Sequence, residues 1–340
     1  MTVPRVQTDS VQRGKAMRRL SLCTLLWALS FPVMKGLVLA QQPLLPGAGS
    51  WFLTSLSVFC RFGIAGVLLL FFTARRMETL TWREVEQGLV LAGFGGLGIL
   101  FQMDGLSYTA ASTSAFLTQG YCIFIPIWLA LVNHHRPSVK QGLCIALVVG
   151  GVAVLAGWRP GSMKIGRGEL ETLVAALLFT GQILTLEHPR YARGRPLLFT
   201  TVMFAAMAAL CVPVLWATAP SAAAGLQVFS TPATAGMLAV LVTACTLGAY
   251  TIMNRWQPFV SATEAGLIYC LEPVLASLLA LFLPFYLSHW ARMDYPNEHL
   301  TTRLLLGGGL ITAANILLQS RWREAEASCV FPAKAPQIGS

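Results

Sequence analysis

Long apolar runs are the feature that most constrains what this chain can fold into. Lipid offers no hydrogen-bond partner to backbone amides, so a membrane-spanning segment must be a helix or part of a closed barrel. A spanning helix needs about 20 mainly apolar residues, and the runs lack the alternating pattern of barrel strands. We therefore predict an all-α membrane protein with ten transmembrane helices. They fall at 20–40, 51–73, 87–102, 109–132, 141–157, 169–186, 197–217, 231–254, 261–287 and 302–320.

The composition agrees with this class. Charged residues make up 11% of the chain, against roughly 25% in soluble domains. The net charge of +10 does not indicate a nucleic-acid partner, because Lys and Arg punctuate the apolar runs and form no patch. Seven of the eight cysteines lie in apolar runs and act as small hydrophobes. Without CxxC or Cys/His spacings we expect neither a disulfide nor a metal site.

The basic residues also predict an orientation, since cytoplasmic loops carry an excess of Lys and Arg. With both termini inside, cytoplasmic segments hold 17 of the 24 basic residues and outer loops hold five. The loop 158–168 runs against this bias with three of them. We expect a multi-pass protein of the cell (inner or plasma) membrane, with cytoplasmic tails at 1–19 and 321–340 that lack fixed structure.

The chain also contains an internal repeat. Residues 24–31 recur at 172–179, 97–104 at 247–254, and 108–112 at 259–263, with offsets of 148, 150 and 151. A repeat of five spans is odd in number, so its second copy must enter the membrane from the opposite face. We predict two inverted five-helix repeats, 20–157 and 169–320, joined by the loop 158–168. Such pseudo-symmetry is typical of transporters that work by alternating access.

Several motifs resemble those of EamA-type transporters of the drug/metabolite transporter superfamily. The similar segments are Leu26-Trp27-Ala28 to Phe31-Pro32-Val33, Arg61-Phe62, Gly105-Leu106 to Ala111-Ser112, Ala115 to Thr118, Arg136-Pro137-Ser138, Val260 to Thr263 and Leu271-Glu272-Pro273-Val274. The family usually ends spans four and nine with a Gly-Glu pair, which is replaced here by Asn133-His134-His135 and by an aromatic-rich segment at 283–297. The resemblance implies a carrier without a cofactor that moves small polar metabolites, such as amino acids or drug-like compounds.

Ionisable residues inside the predicted spans are the first candidates for a binding site, because each costs about 2.5–3.5 kcal/mol to insert. Lys35 follows Pro32, which frees a backbone carbonyl in the preceding turn. Lys35 could therefore bind a substrate carboxylate, or it could extend to the membrane interface. Arg61 is expected to be structural, and Glu264 lies near a span end.

Glu272, next to Pro273, is the candidate for proton coupling or for binding a substrate amine. The alternative is a structural ion pair with Lys35 or Arg61, by the same cost argument. Three further residues well inside their spans complete the predicted substrate site: Trp27, Gln119 and Tyr121. Other aromatic residues, including Tyr250 and Tyr269, are expected to anchor or pack.

Prolines and glycines are expected to shape the bundle. Pro32, Pro126 and Pro273 are candidate hinges. Glycines cluster in spans three and ten, where small residues allow close helix packing or a sliding gate. They are Gly93, Gly95, Gly96, Gly98, Gly307, Gly308 and Gly309.

The sequence leaves other functions open. A nucleotide-sugar or sugar-phosphate exchanger would need several cations in its cavity, and only Lys35 and Arg61 are available. A non-transporting receptor or assembly factor is compatible with the sequence. An intramembrane enzyme is disfavoured, because all five histidines fall in or beside loops and no acid-base cluster is evident. No P-loop occurs, so ATP is not expected to be used.

Overall fold

The computed structural model describes residues 10–132, 139–155, 165–221, 224–260, 265 and 268–320, and their regular elements are all helical. The first seven helices are α1 (Ser10–Gln41), α2 (Ser50–Met77), α3 (Trp82–Gly105), α4 (Ala111–Thr118), α5 (Tyr121–Val132), α6 (Val139–Leu155) and α7 (Arg167–Glu187). They are followed by α8 (Pro196–Thr218), α9 (Ala224–Val228), α10 (Pro232–Val240), α11 (Ala249–Trp256), α12 (Glu272–Ala280), α13 (Leu283–Ala291) and α14 (Thr302–Ser320). Single turns of 3₁₀ helix lie at Gln42–Leu44, Pro189–Tyr191 and Gln257–Phe259.

The prediction of an all-helical, multi-pass membrane protein is confirmed. Six helical segments in the described part of the chain are long and apolar enough to cross a bilayer. The pair α12 and α13, bent by 52°, would make a seventh. Of the remaining predicted spans, 109–132 is divided into α4 and α5, whereas 141–157 and 302–320 contain the shorter apolar helices α6 and α14. Ten complete spans therefore stay a prediction.

The first helix is longer than expected. α1 begins at Ser10, so residues 10–19, which we placed in an unstructured tail, are helical. That expectation was wrong for these residues, since a helix can continue through polar sequence once its apolar part is packed. α1 also continues through Pro32 without ending.

Two predicted spans are interrupted. The helix expected at 109–132 is divided at Gln119 and Gly120 into α4 and α5. In the span expected at 261–287, Pro273 lies in the first turn of α12, not inside a helix. Proline is tolerated there because the first-turn amide has no helical acceptor. The 52° bend follows Ala280, and Pro284 lies in the first turn of α13.

Between α10 and α11 the chain forms a π-helix at Leu241–Gly248. In this conformation each backbone hydrogen bond spans five residues instead of four, and such turns often lie at functional sites. Nothing in the hydrophobic pattern of span 231–254 indicated it.

The helices pack in a recurring set of pairs. α2 packs on α8, α3 on α7, α6 on α14 and α4 on α12. α1 packs on α11 and on the adjoining π-helix. The main hydrophobic core fills the space between α1, α2, α3, α8 and α11, with Phe62 and Phe204 among its largest fully buried side chains.

Close packing at the glycines of span three is confirmed for three of the four. A Cβ atom on Gly98 would lie 2.6 Å from the ring of Phe179, and one on Gly95 would lie 2.7 Å from Gln182. Gly96 lies against Met207, whereas Gly93 has no neighbour within 4 Å. These glycines let α3 approach α7 and α8.

Some sequence motifs fall outside the described residues. These are Asn133-His134-His135, Arg136-Pro137-Ser138, Ser261 to Glu264, residues 1–9, 156–164 and 321–340. Pro126 lies within α5, but its side chain is also outside the described set.

Candidate functional site

A cavity lies at the centre of the bundle, between helices from both predicted repeats. Its volume is about 60 Å³, well below the roughly 300–1,000 Å³ of an open small-molecule site. Its walls come from α1 to α5 on one side, and from α7, α11 and the start of α12 on the other. The lining residues are Trp27, Ser30, Arg61, Ile99, Gln102, Thr118, Tyr121, Phe179, Gln182, Ile183, Tyr250, Met253, Tyr269 and Glu272.

Glu272 is the acidic group of this cavity. It is the first residue of α12 and is only 6% exposed. The Gln119 Nε2 donates to its Oε2 at 3.4 Å and to the carbonyl oxygen of Tyr269 at 2.9 Å. Gln119 reaches both acceptors because it lies at the break between α4 and α5.

Glu272 forms no ion pair with either basic residue of the spans. Lys35, Arg61 and Glu272 are all described, and no contact within 4.0 Å joins the carboxylate to either cation. The alternative of a structural ion pair is therefore wrong. The carboxylate is held by a neutral amide and remains at the cavity wall.

Aromatic rings form a second part of the wall. The ring centroid of Trp27 lies 5.5 Å from that of Tyr269 and 5.7 Å from that of Tyr250. The Tyr269 hydroxyl donates to Gln257 Oε1 at 3.0 Å, which fixes its ring. Tyr121 lines the same cavity and is 5% exposed. Predicted site residues Trp27, Tyr121 and Glu272 thus share one cavity, with Gln119 directly behind Glu272.

Arg61 also borders the cavity, but its nitrogens are engaged by the protein. Nε donates to Thr246 Oγ1 at 2.5 Å, and Nη2 donates to the carbonyl oxygen of Cys245 at 3.2 Å. Nη1 lies 3.2 Å from the sulfur of Met34. Because both Thr246 and Cys245 belong to the π-helix, the guanidinium connects α2 to that segment.

Lys35 lies outside the cavity lining. Its Nζ donates to the carbonyl oxygens of Leu106 at 2.6 Å and Thr109 at 2.9 Å. Leu106 is the residue that caps the end of α3, and Thr109 lies three residues further along the chain. The structure thus separates Lys35 from the other predicted substrate-binding residues.

Several lining residues were not predicted. Tyr250 and Tyr269 were assigned to anchoring or packing, and Phe179, Gln102 and Gln182 were not placed in the site. Tyr269 precedes Glu272 by three residues and lies before the helix that Glu272 begins, so the pattern of helical faces did not indicate that it lines the cavity. Gln182 Nε2 is buried without a hydrogen-bond partner among the described residues.

A network of charges joins several helices at one end of the bundle. Arg167 contacts the buried carboxylate of Asp104 at 2.5 Å and that of Glu171 at 2.7 Å. Its Nη1 donates to the Tyr108 hydroxyl at 2.7 Å. Arg167 is one of the three basic residues of the loop 158–168, the predicted outer loop that runs against the excess of positive charge on the cytoplasmic side. Its ion pairs with Asp104 and Glu171 explain why a cation lies at that end of the bundle.

A second set of contacts reinforces the same end. Glu298 accepts a hydrogen bond from the backbone amide of Ala111 at 2.8 Å and also binds the Ser112 hydroxyl. The Thr109 hydroxyl donates to Glu169 at 2.7 Å. Arg167 Nη2 also donates to Ser50 Oγ, at the start of α2, at 3.3 Å. Together these contacts connect α2, α3, α4, α7 and the segment before α14.

The chain is similar to known proteins along most of its length. Residues 20–157 match the model of the EamA-like transporter family. An uncharacterized transporter of Archaeoglobus fulgidus is 28% identical over 277 residues, which cover 80% of this chain and 79% of that protein. A solved crystal structure has the same overall fold, with a TM-score of 0.59 and 17% identity, over 92% of this chain and 99% of the other.

Proposed function

Since residues 20–157 match the model of the EamA-like transporter family, we propose that the chain is a secondary transporter. It moves a small polar or amphipathic metabolite, an amino acid or drug-like compound, by alternating access, with efflux as the expected direction. The observation that carries this proposal is the central cavity, because helices of both predicted repeats line it. A site shared by two halves can be exposed to each side in turn.

The packing of the helices supports the two inverted repeats. In the proposed ten-span order, α2 and α8 are second spans, and α6 and α14 are fifth spans; each packs on its equivalent. α3 is the third span of the first repeat and packs on α7, the first span of the second repeat. The equivalent contact joins α1, the first span of the first repeat, to α11 and the π-helix, which belong to the third span of the second repeat. Exchanging the halves therefore maps these contacts onto one another, as a two-fold axis requires.

The charge network around Arg167 supports a state closed at one end. Its contacts join helices of both proposed repeats, so opening that end requires them to separate. With both termini in the cytoplasm this is the outer end, and the cavity would open inward. The protein would lie in the cell membrane with lipid as its surroundings.

Flux through purified protein tests the proposal. Proteoliposomes are loaded with mixed amino acids and amines, and exchange with labelled external compounds is measured without ATP. We expect protein-dependent exchange of at least one compound, and its loss in Trp27→Ala. Trp216→Ala is the matched control, because Trp216 is 87% exposed and does not line the cavity. Absence of any protein-dependent flux across these classes would contradict the proposal.

Proton coupling through Glu272 is tested with Glu272→Gln. The amide keeps the shape of the side chain and cannot titrate. If Glu272 carries the proton, flux in the variant loses its dependence on external pH, and a pH gradient no longer drives accumulation. An unchanged pH profile would assign the coupling elsewhere.

The exchanger for phosphorylated sugars has less support. A dianionic phosphate requires several cationic donors. Arg61 is the basic residue among the described lining residues, and each of its nitrogens already contacts protein.

A further inference from the structure

A groove on the membrane-facing side of the bundle is separate from the central cavity. It lies between α3, α5 and α7, and its volume is about 720 Å³. Gln182 of α7 lines the central cavity, whereas Gly181 and Leu184 line the groove, so the two sites use different faces of that helix. We infer that the groove binds an anionic phospholipid, with one acyl chain between the three helices and the phosphate at Arg190.

The walls of the groove are apolar and face the membrane. Phe94, Trp128 and Leu177 line it and are 39%, 54% and 57% exposed. Large apolar side chains exposed side by side mark a surface that another apolar molecule covers. Because α3 and α7 are long and apolar enough to cross a bilayer, the molecule that reaches this surface is lipid.

Two threonines of α7 do not interrupt this apolar character. The Thr180 hydroxyl donates to the carbonyl oxygen of Ala176 at 3.0 Å, and the Thr185 hydroxyl donates to that of Gly181 at 2.7 Å. Both hydroxyl hydrogens are thus used within the helix. An acyl chain loses no hydrogen bond by lying against them.

The length of the groove suits the acyl chain of one leaflet. Along α7 the groove extends from Leu177, near the middle of that helix, to His188 just after its end. This distance is about 16 Å at the helical rise per residue, which is half of a hydrocarbon core about 30 Å thick. The groove therefore begins at the membrane surface and ends near the midplane.

The charged residues of the groove are gathered at the surface end, together with His188 and Tyr191. Arg190 Nη2 lies 2.5 Å from Glu86 Oε2, and the Tyr191 hydroxyl donates to Glu86 Oε1 at 2.9 Å. Both oxygens of this carboxylate are therefore engaged. The side chain of Arg190 is 56% exposed, and its Nε and Nη1 have no hydrogen-bond partner among the described residues.

These charges favour an anionic head group. Arg83 is exposed and lies three residues before Glu86 on α3, so two arginines stand beside one carboxylate. A guanidinium binds phosphate oxygens through two parallel N–H bonds, and Nε and Nη1 of Arg190 form such a pair. A zwitterionic head group would bring its own cation to a surface that is already positive.

The position of this end agrees with the same class of lipid. Basic pockets between transmembrane helices on the cytoplasmic side bind acidic lipid head groups. In the proposed orientation the Arg190 end of the groove is cytoplasmic. Trp128 stands in the wall of the groove, and tryptophan is enriched where a membrane meets water.

Lipids that share their acyl chains test this inference. Purified protein in detergent is titrated with phosphatidylglycerol or with phosphatidylcholine carrying the same chains, and the first bound molecule is quantified by native mass spectrometry. We expect phosphatidylglycerol to bind at least tenfold more tightly than phosphatidylcholine. Glycerol phosphate, which has the phosphate without a chain, should neither bind nor compete.

A pair of arginine variants tests the head-group contact. Arg190→Gln should lower the affinity for phosphatidylglycerol at least tenfold and leave that for phosphatidylcholine unchanged. Arg193→Gln is the matched control, because it removes the same charge from the same loop at an exposed residue that does not line the groove. Its effect should be less than twofold, and unfolding temperatures without lipid check that both variants are folded.

Fluorescence quenching locates the acyl chain. Phosphatidylglycerol with brominated chains quenches tryptophans that it touches. At one bound lipid per protein, we expect most of the quenching to be lost in Trp128→Phe and kept in Trp216→Phe, because Trp216 is 87% exposed but lies outside the groove.

Several results would overturn the inference. Equal affinities for the two lipids would show ordinary surrounding lipid, and competition by glycerol phosphate would show a site for soluble phosphate. An equal loss of affinity in both arginine variants, or unchanged quenching in Trp128→Phe, would place the lipid elsewhere. None of these measurements depends on flux, so their outcome is independent of the proposed transport.

Discussion

The contact between α6 and α14 allows a clean measurement of close helix packing. A Cβ atom on Gly151 would lie 2.8 Å from the carbonyl oxygen of Gly307, and one on Gly307 would lie 2.9 Å from that of Gly151. Two backbones thus approach each other at a pair of glycines. Neighbouring positions Gly150 and Gly309 have no atom within 4 Å of such a Cβ.

These neighbours supply controls that isolate the steric cost. Gly→Ala within a helix is favourable by about 1 kcal/mol from propensity alone, and this contribution is common to all four positions. Forcing a methyl group into a packed contact costs about 1–3 kcal/mol. We therefore expect Gly151→Ala to unfold with a free energy about 1–3 kcal/mol below that of Gly150→Ala, and the same difference for Gly307→Ala against Gly309→Ala.

Thermal and denaturant unfolding in detergent micelles, followed with a thiol-reactive dye, would measure these differences. Cys144 lies buried on α6 in an apolar cluster with Ile311 and Ala314 of α14, so its exposure to the dye reports on the separation of the two helices. The double variant Gly151→Ala/Gly307→Ala should lose less than the sum of the single losses, because contacting sites couple. Equal stabilities of Gly151→Ala and Gly150→Ala would refute the packing argument.

Three further variants test the contacts of arginine side chains with the same unfolding assay. Arg61→Lys should lose about 1.5–3 kcal/mol, because lysine cannot reproduce the contacts with Thr246 and Cys245 and hydrogen bonds from charged groups are worth about that much; unchanged stability would show these contacts to be dispensable. Arg195 pairs with Glu84, whose side chain is 4% exposed, and Arg190 pairs with Glu86, whose side chain is 25% exposed. Because the first pair is more buried, Arg195→Ala should cost more than Arg190→Ala, which should cost below about 1 kcal/mol; a reversed order would contradict the role of burial.

The helical class could be predicted from the sequence because lipid leaves the backbone few choices. The interruptions could not. Gln119 and Gly120 sit in a continuous apolar run, and the pattern of hydrophobic residues does not record where a helix changes direction. Similarly, Pro273 suggested a kink inside a span, whereas the helix begins at Glu272. Proline is compatible with both arrangements.

The site was predicted in part, for an identifiable reason. Glu272 stood out because a charge at bilayer depth requires an explanation, and Trp27 and Tyr121 because of their depth. Lys35 met the same criterion of depth but points to carbonyls beyond α3. Depth along a span can be read from the sequence, whereas the direction a side chain faces depends on the neighbouring helix.

The π-helix at Leu241–Gly248 determines which later residues of its span face the cavity. Its hydrogen bonds span one residue more than those of an α-helix, and successive α-helical residues are rotated by about 100°. If the same eight residues formed a regular α-helix instead, everything after them would turn by about that angle, while the apolar character of the span would not change. Tyr250 and Met253, which follow the segment and face the cavity, would swing away, so loss of the π-helix alone would remove one wall of the cavity.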